Sequence, residues 1–231
     1  MQRAWAVLEE KQIPYEYIEV NPYHKPESLL KLNPRGLVPT LQFHEKPLYE
    51  SNVICELLEE AYPGYGPSLL PKDLYDRARM RIWQDYLTSR IIPSFHRFLQ
   101  HQPSSAGGSD DGLKKACEEF RGHIKEFTKE MHPEGPYFMG AEPTMIDFVV
   151  APWAVRMWIF EHFKHIPAVP PKDEQGDDDA VWTRWQKFAD AVEQRPSIKG
   201  TTSEREHYLP IYQRYADDKV RASVQSGEVL G

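Results

Sequence analysis

The chain has 231 residues, of which 40% are hydrophobic and 12% aromatic, and its formal net charge is −7 at pH 7. These values are ordinary for a folded chain of one large or two small domains, and the negative charge argues against nucleic acid as a partner. Asp147, Pro152 and Arg156 interrupt the most apolar stretch, so the sequence predicts no membrane span.

The first 65 residues alternate between helical and strand-like patterns. The patterns predict, in chain order, a helix over 2–11, a strand over 15–20, a short helix over 27–32, strands over 38–43 and 47–49, and a helix over 53–62. The strand over 15–20 is inferred from its aromatic and β-branched residues, which favour sheet. We therefore expect a mixed module of helices and strands that ends near residue 65.

From Leu70 onwards the sequence shows helical patterns only. They predict helices over 73–100, 113–131, 144–160, 180–193 and 204–215, with a kink at Pro93 in the first of them. The helix over 144–160 begins with Thr144-Met-Ile-Asp147, a pattern that predicts a capping box. A flexible loop is expected over 103–112, an acidic loop over 173–179, and a frayed end over the last dozen residues. The predicted domains thus cover residues 1–65 and 70–217.

Two short segments of the first module predict a ligand site. Val38-Pro39 leads into a strand, and Glu50-Ser51 opens the helix that follows the return strand. The amino end of a helix favours an anion, because its first N–H groups are unpaired and the helix dipole is positive there. Glu50 can hold an ammonium beside a carboxylate at Ser51, and the Glu50-Ser51 pair is also expected to cap the helix. The combination predicts a pocket for a small zwitterionic peptide.

Six motifs, in this order and at these spacings, carry a resemblance to a known family. The motifs are Lys25-Pro26-Glu27, Asn33-Pro34-Arg35-Gly36-Leu37-Val38-Pro39, Tyr49-Glu50-Ser51, Cys55-Glu56-Leu57-Leu58-Glu59, Leu69-Leu70-Pro71 and Thr144-Met145-Ile146-Asp147-Phe148. Residues 2–215 resemble the cytosolic glutathione transferases, most closely the omega-like class of fungi and animals. The resemblance implies an α/β plus all-α fold, in which a thioredoxin-like N-terminal domain precedes an all-helical C-terminal domain.

The resemblance also implies four residues that bind glutathione, the co-substrate of the family. Lys25 would pair with the glycyl carboxylate. Val38, joined to Pro39 by a cis bond, would offer its backbone N–H and C=O to the cysteinyl unit. Glu50 would hold the γ-glutamyl ammonium, and Ser51 would bind the γ-glutamyl carboxylate.

Further implications concern the second substrate, the assembly and metals. Trp153 and Arg156 lie on the helix that lines the second-substrate pocket of the family, which takes a small hydrophobic or thiol-containing molecule. The family is usually homodimeric, so we expect a twofold dimer. His162 and His165 are three residues apart but lack a third ligand, and no metal site is predicted.

The family pattern contains a first strand and a Cys-Pro-x-x turn that this sequence lacks. Met1 aligns inside the first helix, about three residues past the cysteine that is the omega-type nucleophile. We therefore interpret the N-terminal domain as truncated, with two strand edges left unpaired and Met1 an internal methionine of a longer protein. No catalytic residue is assigned, because Cys55 is expected to be buried and Cys117 belongs to the other domain. The two cysteines and the absence of a secretory pattern favour the cytoplasm.

The activity implied by the resemblance is glutathione-dependent thiol transfer. It would reduce dehydroascorbate-like substrates or remove glutathione from glutathionylated ones, with conjugation to electrophiles as a secondary reaction. Two alternatives stay open: a non-catalytic module of this fold used for protein binding or regulation, and an enzyme of a serine- or tyrosine-dependent class. Binding of glutathione without turnover would favour the module.

Overall fold

The structure is a computed structural model that describes residues 1–21, 24–102 and 111–217. The last dozen residues, which were expected to be frayed, lie outside the described residues, as does most of the loop expected at 103–112. A hairpin and three helices precede a set of helices, so the expected α/β plus all-α class is confirmed. The domain boundaries near residues 65 and 70 stay a prediction.

The N-terminal part is built around one β-hairpin. It contains α1 (Gln2–Lys11), α2 (Glu27–Leu32), β1 (Thr40–Phe43), β2 (Lys46–Tyr49) and α3 (Ser51–Ala61). The two strands are antiparallel, with Thr40 opposite Tyr49. The turn residues His44 and Glu45 have φ of 45° and 67°, and positive φ at both positions suits a two-residue hairpin turn. The two strands predicted around this turn are therefore confirmed, although the first begins at Thr40.

The strand predicted over 15–20 is wrong. Residues 13–20 are irregular, and Tyr15, Tyr17 and Ile18 expose 38%, 45% and 71% of their surface. A strand needs a neighbouring strand for its N–H and C=O groups, and no described segment of the chain supplies one here. Tyr17 instead stacks on Trp5 of α1, with the ring centroids 4.9 Å apart. The aromatic residues that favoured a strand thus pack against a helix.

In the C-terminal part, every regular element that the structure describes is a helix. It contains α4 (Leu74–Tyr86), a π-helical turn (Leu87–Ile91), α5 (Ile92–Gln100), α6 (Asp111–Lys129), α7 (Met145–Ala154), α8 (Trp158–Lys164), α9 (Asp179–Gln194), α10 (Pro196–Lys199) and α11 (Arg205–Ala216). The kink predicted at Pro93 stays a prediction. A π-helical turn lies just before this proline, which has no N–H for the helical ladder. The acidic segment expected to be a loop contains two short 3₁₀ turns, Lys172–Glu174 and Gly176–Asp178.

The single helix predicted over 144–160 is two helices. Helix α7 ends at Ala154, and α8 begins at Trp158. Pro152 lies inside α7 and cannot donate to the helical ladder. The Arg156 side chain turns back and donates from Nη1 to the Pro152 carbonyl at 2.6 Å. This bond satisfies a carbonyl at the end of α7, where the regular ladder stops.

The capping box predicted at the start of α7 is confirmed. Asp147 Oδ2 accepts the Thr144 N–H at 2.6 Å, and Asp147 Oδ1 accepts the Phe138 N–H at 2.8 Å. The Asp147 side chain is buried, and this burial raises the pKa of its carboxyl group to about 6. The carboxyl group therefore joins the helix start to the segment before it.

The core is continuous between the two parts of the chain. Helix α1 contacts both α3 and α7. Val7 of α1 and Ile54 and Leu58 of α3 are buried in the same core. The core of the helical part is mainly aromatic and contains Phe95, Phe98, Phe120, Phe127, Phe160, Trp185 and Phe188. Burial of these large side chains supplies the main driving force for folding of the helical part.

Candidate ligand-binding site

The candidate site lies where the hairpin meets α3. Because Thr40 is opposite Tyr49, the next pair in this register places Pro39 level with Glu50. The Val38–Pro39 peptide bond is cis, as the resemblance implied. No hydrogen bond among the described residues uses the N–H or the C=O of Val38, whose side chain is half-buried. The backbone of Val38 is thus an unpaired peptide edge beside the start of α3.

The turn before Val38 is held by Asn33, whose role the sequence analysis did not identify. Asn33 is fully buried. Its Nδ2 donates to the Leu37 carbonyl at 3.0 Å and to Thr40 Oγ1 at 3.2 Å, and its Oδ1 accepts the Arg35 N–H at 3.1 Å. These three bonds fix the backbone on both sides of the turn. The Asn-Pro-x-Gly pattern is the sequence signal that could have indicated this role.

Lys25 reaches the same turn. Its side chain is exposed, and its Cδ would lie 2.6 Å from a Cβ placed on Gly36. Gly36 has φ of 61°, a conformation that favours glycine. Glycine at position 36 therefore allows the left-handed backbone and leaves room for the aliphatic part of the Lys25 side chain. This contact brings Lys25 to the edge of the turn that precedes Val38.

Glu50 is engaged by a residue that the sequence analysis did not assign to the site. Arg35 Nη1 donates to Glu50 Oε1 at 3.0 Å, and the two side chains are 59% and 57% exposed. The Arg35 guanidinium carbon also lies 5.9 Å from the centroid of the Tyr49 ring. The carboxylate proposed to hold an ammonium is therefore paired with a guanidinium in this structure.

Ser51 is the first residue of α3, and Glu50 occupies the N-cap position with φ of 74°. The Glu50 side chain makes no capping hydrogen bond to α3 within the described residues. Its carboxylate instead accepts a hydrogen bond from Arg35. Within the described residues, no hydrogen bond uses the N–H groups of Ser51 or Asn52. The amino end of α3 therefore presents unpaired donors, which is the arrangement that binds anions.

Arg3 of α1 contacts the start of α3. Its Nε donates to the Val149 carbonyl at 2.9 Å, and its Nη1 donates to Asn52 Oδ1 at 3.4 Å. Burial lowers the pKa of Arg3. The side chain thus joins α1, α3 and α7 and places a cation near the amino end of α3. Sequence reasoning missed it because Val149 is 146 positions away.

Neither cysteine has the properties of a reactive thiol. Cys55 is fully buried, as expected, and burial raises its pKa to about 12. Cys117 is also buried, and burial raises its pKa. Reactive cysteines have a lowered pKa and an accessible sulfur. The nucleophile of an omega-type reaction is therefore neither of these two residues.

Trp153 and Arg156, expected at the second-substrate pocket, lie on either side of the end of α7. The Trp153 ring packs edge-on against Phe95, with centroids 4.9 Å apart. Arg156 is 8% exposed, and its guanidinium donates to Gln2 Oε1 at 2.6 Å and to Tyr208 Oη at 2.7 Å. Arg156 therefore joins α1 to α11.

Within 1–21, 24–102 and 111–217, no three His, Cys, Asp or Glu side chains are grouped so that they could hold a metal ion. In the same part of the chain, no helix combines the length and apolar character needed to span a bilayer.

Comparison with known proteins agrees with this fold. Residues 1–61 match the family description "Glutathione S-transferase, N-terminal domain", and residues 90–191 match "Glutathione S-transferase, C-terminal domain". The fold and the site define a glutathione transferase architecture with a two-stranded sheet and an all-helical domain. The chain belongs to the glutathione S-transferase family and is omega-like.

Two relatives of the omega class illustrate this similarity. The chain is 36% identical to glutathione S-transferase omega-1 of Sus scrofa over 162 residues. This aligned region covers 69% of this chain and 64% of that protein. The chain therefore spans less than two thirds of that relative. The crystal structure of glutathione transferase Omega 3C from Trametes versicolor is 35% identical with a TM-score of 0.79, covering 95% of this chain and 87% of that one.

Proposed function

We propose that this chain binds glutathione at the junction of the hairpin and α3. Val38 offers its peptide edge to the cysteinyl unit, and Lys25 pairs with the glycyl carboxylate. Glu50 holds the γ-glutamyl ammonium, and Ser51 binds the γ-glutamyl carboxylate with its hydroxyl and the N–H groups of the helix start. Membership in the family supports glutathione as the ligand.

The observation that carries this proposal is the pairing of two unsatisfied backbone groups in one place. The register of the hairpin brings the unpaired edge of Val38 next to the unpaired amino end of α3. Extended peptides bind unpaired strand edges through backbone hydrogen bonds, and carboxylates bind helix amino ends. A tripeptide with a free carboxylate can pair with the N–H and C=O of Val38 and with the N–H donors of the helix start at once.

The reaction we propose is omega-like thiol transfer. In the overall exchange, a glutathionylated substrate RSSG and one glutathione give RSH and GSSG. The S–S bond of the substrate breaks, a new S–S bond joins the two glutathione sulfurs, and the glutathione thiol proton is transferred to the released RS⁻. Dehydroascorbate-like compounds are the second proposed substrate class, and conjugation to electrophiles is a secondary reaction. The attacking sulfur is distinct from Cys55 and Cys117, because both are buried thiols with raised pKa values.

We propose a small hydrophobic or thiol-containing second substrate, held against Trp153 with Arg156 forming the wall of the pocket.

We also propose a twofold homodimer and a cytoplasmic location. Tyr75 and Ile82 of α4 expose 76% and 64% of their surface. They are seven positions apart and thus share one helix face, which supports an apolar contact with a second copy.

Calorimetric titration with glutathione tests the site. Glu50→Gln is expected to weaken binding by about tenfold or more, because hydrogen bonds to charged groups contribute about 1.5–3 kcal/mol. Ser51→Ala is expected to weaken it by about fivefold, in line with one neutral hydrogen bond of about 1 kcal/mol. Glu119→Gln is the matched control, because Glu119 is a 43% exposed carboxylate that pairs with Arg97 on other helices.

Turnover is then measured with a glutathionylated peptide and, separately, with an aryl halide electrophile. Release of free peptide and GSSG supports thiol transfer, whereas a thioether product supports conjugation. Equal titration curves for the wild type and Glu50→Gln would contradict the proposed site. Binding without either product would contradict the proposed reaction for this chain and favour a binding module.

A further inference from the structure

The pairing of Arg35 with Glu50 adds a residue to the proposed site. Arg35 Nη1 contacts only one carboxylate oxygen of Glu50, Oε1, at 3.0 Å. The guanidinium has five N–H donors. Within the part of the chain that the structure describes, the side-chain donors of Arg35 reach no acceptor other than Glu50. Most of the donors thus stay available to a ligand beside Glu50.

The position of the guanidinium is set by its surroundings. The Arg35 backbone N–H is bound to Asn33 Oδ1 at 3.1 Å, and the Gly36 N–H donates to the Asn33 carbonyl at 2.7 Å. On the other side, the guanidinium lies over the Tyr49 ring. A cation held by a fixed turn and an aromatic face loses less freedom on binding than a free surface arginine.

We propose that Arg35 is a specificity-determining residue that binds the γ-glutamyl α-carboxylate when glutathione displaces it from Glu50. This proposal rests on the proposed glutathione site. The ligand ammonium replaces the guanidinium at Glu50, and the ligand carboxylate replaces Glu50 at Arg35, next to Ser51. One ion pair is exchanged for two, so neither protein charge loses its partner.

The exchange selects for ligands that carry both charges on one carbon. A ligand with an ammonium but no α-carboxylate would take Glu50 and leave Arg35 without a counter-ion. A ligand with the carboxylate alone would leave Glu50 unpaired. Because planar guanidinium and carboxylate groups can form two parallel hydrogen bonds, the arginine reads the carboxylate by geometry as well as charge. Ser51 alone has no such preference for a complete amino-acid head group.

Calorimetric titrations compare glutathione with 4-aminobutanoyl-cysteinylglycine, which is glutathione without the α-carboxylate. Arg35→Gln is expected to weaken glutathione binding by about tenfold, as for loss of a charge-assisted pair offset by the exposed pair it replaces. The same variant is expected to keep or slightly raise the affinity for the analogue, because the analogue's ammonium no longer has to displace an exposed guanidinium from Glu50. Arg35→Lys keeps the charge without the planar guanidinium. Its affinity for glutathione is expected to lie between those of the wild type and Arg35→Gln.

Arg97→Gln is the matched control, because Arg97 is also an exposed arginine in an ion pair, with Glu119 at 2.6 Å. Unchanged unfolding midpoints show that each variant is folded. Equal losses for glutathione and the analogue in Arg35→Gln, or tighter glutathione binding, would overturn the role of Arg35 while leaving the site intact. Failure of the wild type to bind glutathione would overturn both the site and this role.

Discussion

The ammonium of Lys11 lies 2.8 Å from the carboxylate of Glu59, and both side chains are buried. Glu59 also accepts the Leu69 N–H at 3.0 Å and the Ser68 hydroxyl at 2.8 Å. The Leu69 carbonyl in turn accepts the N–H of Met145 at 2.7 Å, at the start of α7. The ion pair therefore joins α1 and α3 to the connection between the two parts of the chain.

Removing one partner of this pair is expected to be costly. Lys11→Met should lower the free energy of unfolding by about 3–5 kcal/mol, because it leaves a buried carboxylate without a counter-ion. In Lys11→Met with Glu59→Gln, the amide oxygen still accepts the Leu69 N–H and no charge remains, so part of the loss should be recovered. Urea denaturation measures both variants. Equal losses in the single and double variants would contradict this account, and Arg97→Gln, which removes an exposed pair, should cost less than about 1 kcal/mol.

The raised pKa of Asp147 predicts a pH dependence of stability. The ordinary value is 3.8, and burial raises the folded value to about 6, so the folded state binds the proton more tightly than the unfolded state. The contribution of Asp147 to the free energy of unfolding is therefore full below about pH 4 and falls by about 3 kcal/mol as pH rises through 6. Denaturation of the wild type and Asp147→Asn across pH 3–7 measures it. A wild-type minus variant difference that is constant or rises with pH would refute the prediction.

The two cysteines are expected to be unreactive in the folded protein. At pH 8, a chromogenic disulfide reagent should label neither Cys55 nor Cys117 over minutes, because both sulfurs are buried and their pKa values are raised. Both should react once the chain is unfolded in denaturant. Cys55→Ala should retain the wild-type affinity for glutathione. Rapid labelling of one thiol in the native state would identify a reactive cysteine and revise the proposed mechanism.

The contacts of Arg156 predict a role in stability. Arg156→Gln should cost about 2–3 kcal/mol, because the acceptors on Gln2, Pro152 and Tyr208 lose a charged donor. Tyr208→Phe should cost about 1 kcal/mol, since it removes only one of these bonds. Thermal or urea unfolding measures both, with glutathione affinity as the control. A larger loss in Tyr208→Phe than in Arg156→Gln would contradict the proposed order.

The exposed face of α4 predicts the assembly. Ile82→Glu is expected to shift the protein from dimer to monomer at micromolar concentration, because it places a charge in the proposed apolar contact. Light scattering after size-exclusion chromatography measures the mass. Leu74 at the start of the same helix is 75% exposed, and Leu74→Glu serves as a comparison variant that places a charge at a second position of α4. A monomeric wild type, or an Ile82→Glu variant that stays dimeric, would exclude this face.

Much of the fold could be predicted because its signals are local. The period of apolar residues placed most helices, the hairpin followed from two short strand patterns, and Thr144 with Asp147 defined a cap within one helical turn. The positions of Val38, Glu50 and Ser51 at one end of the hairpin also followed from nearby residues. The strand predicted over 15–20 failed because its local pattern was right for a sheet but a strand also requires a partner.

The helical periods, the hairpin and the residues that open α3 could thus be inferred before folding, since each depends on neighbours within a few positions. The partner of each charged side chain became visible only once the whole chain was packed. Arg35 reaches Glu50 across 15 positions, Lys11 reaches Glu59 across 48, and Arg3 reaches Val149 across 146. These contacts form only when distant elements pack or pair, because each charged side chain finds its partner on another element and no local pattern names that partner.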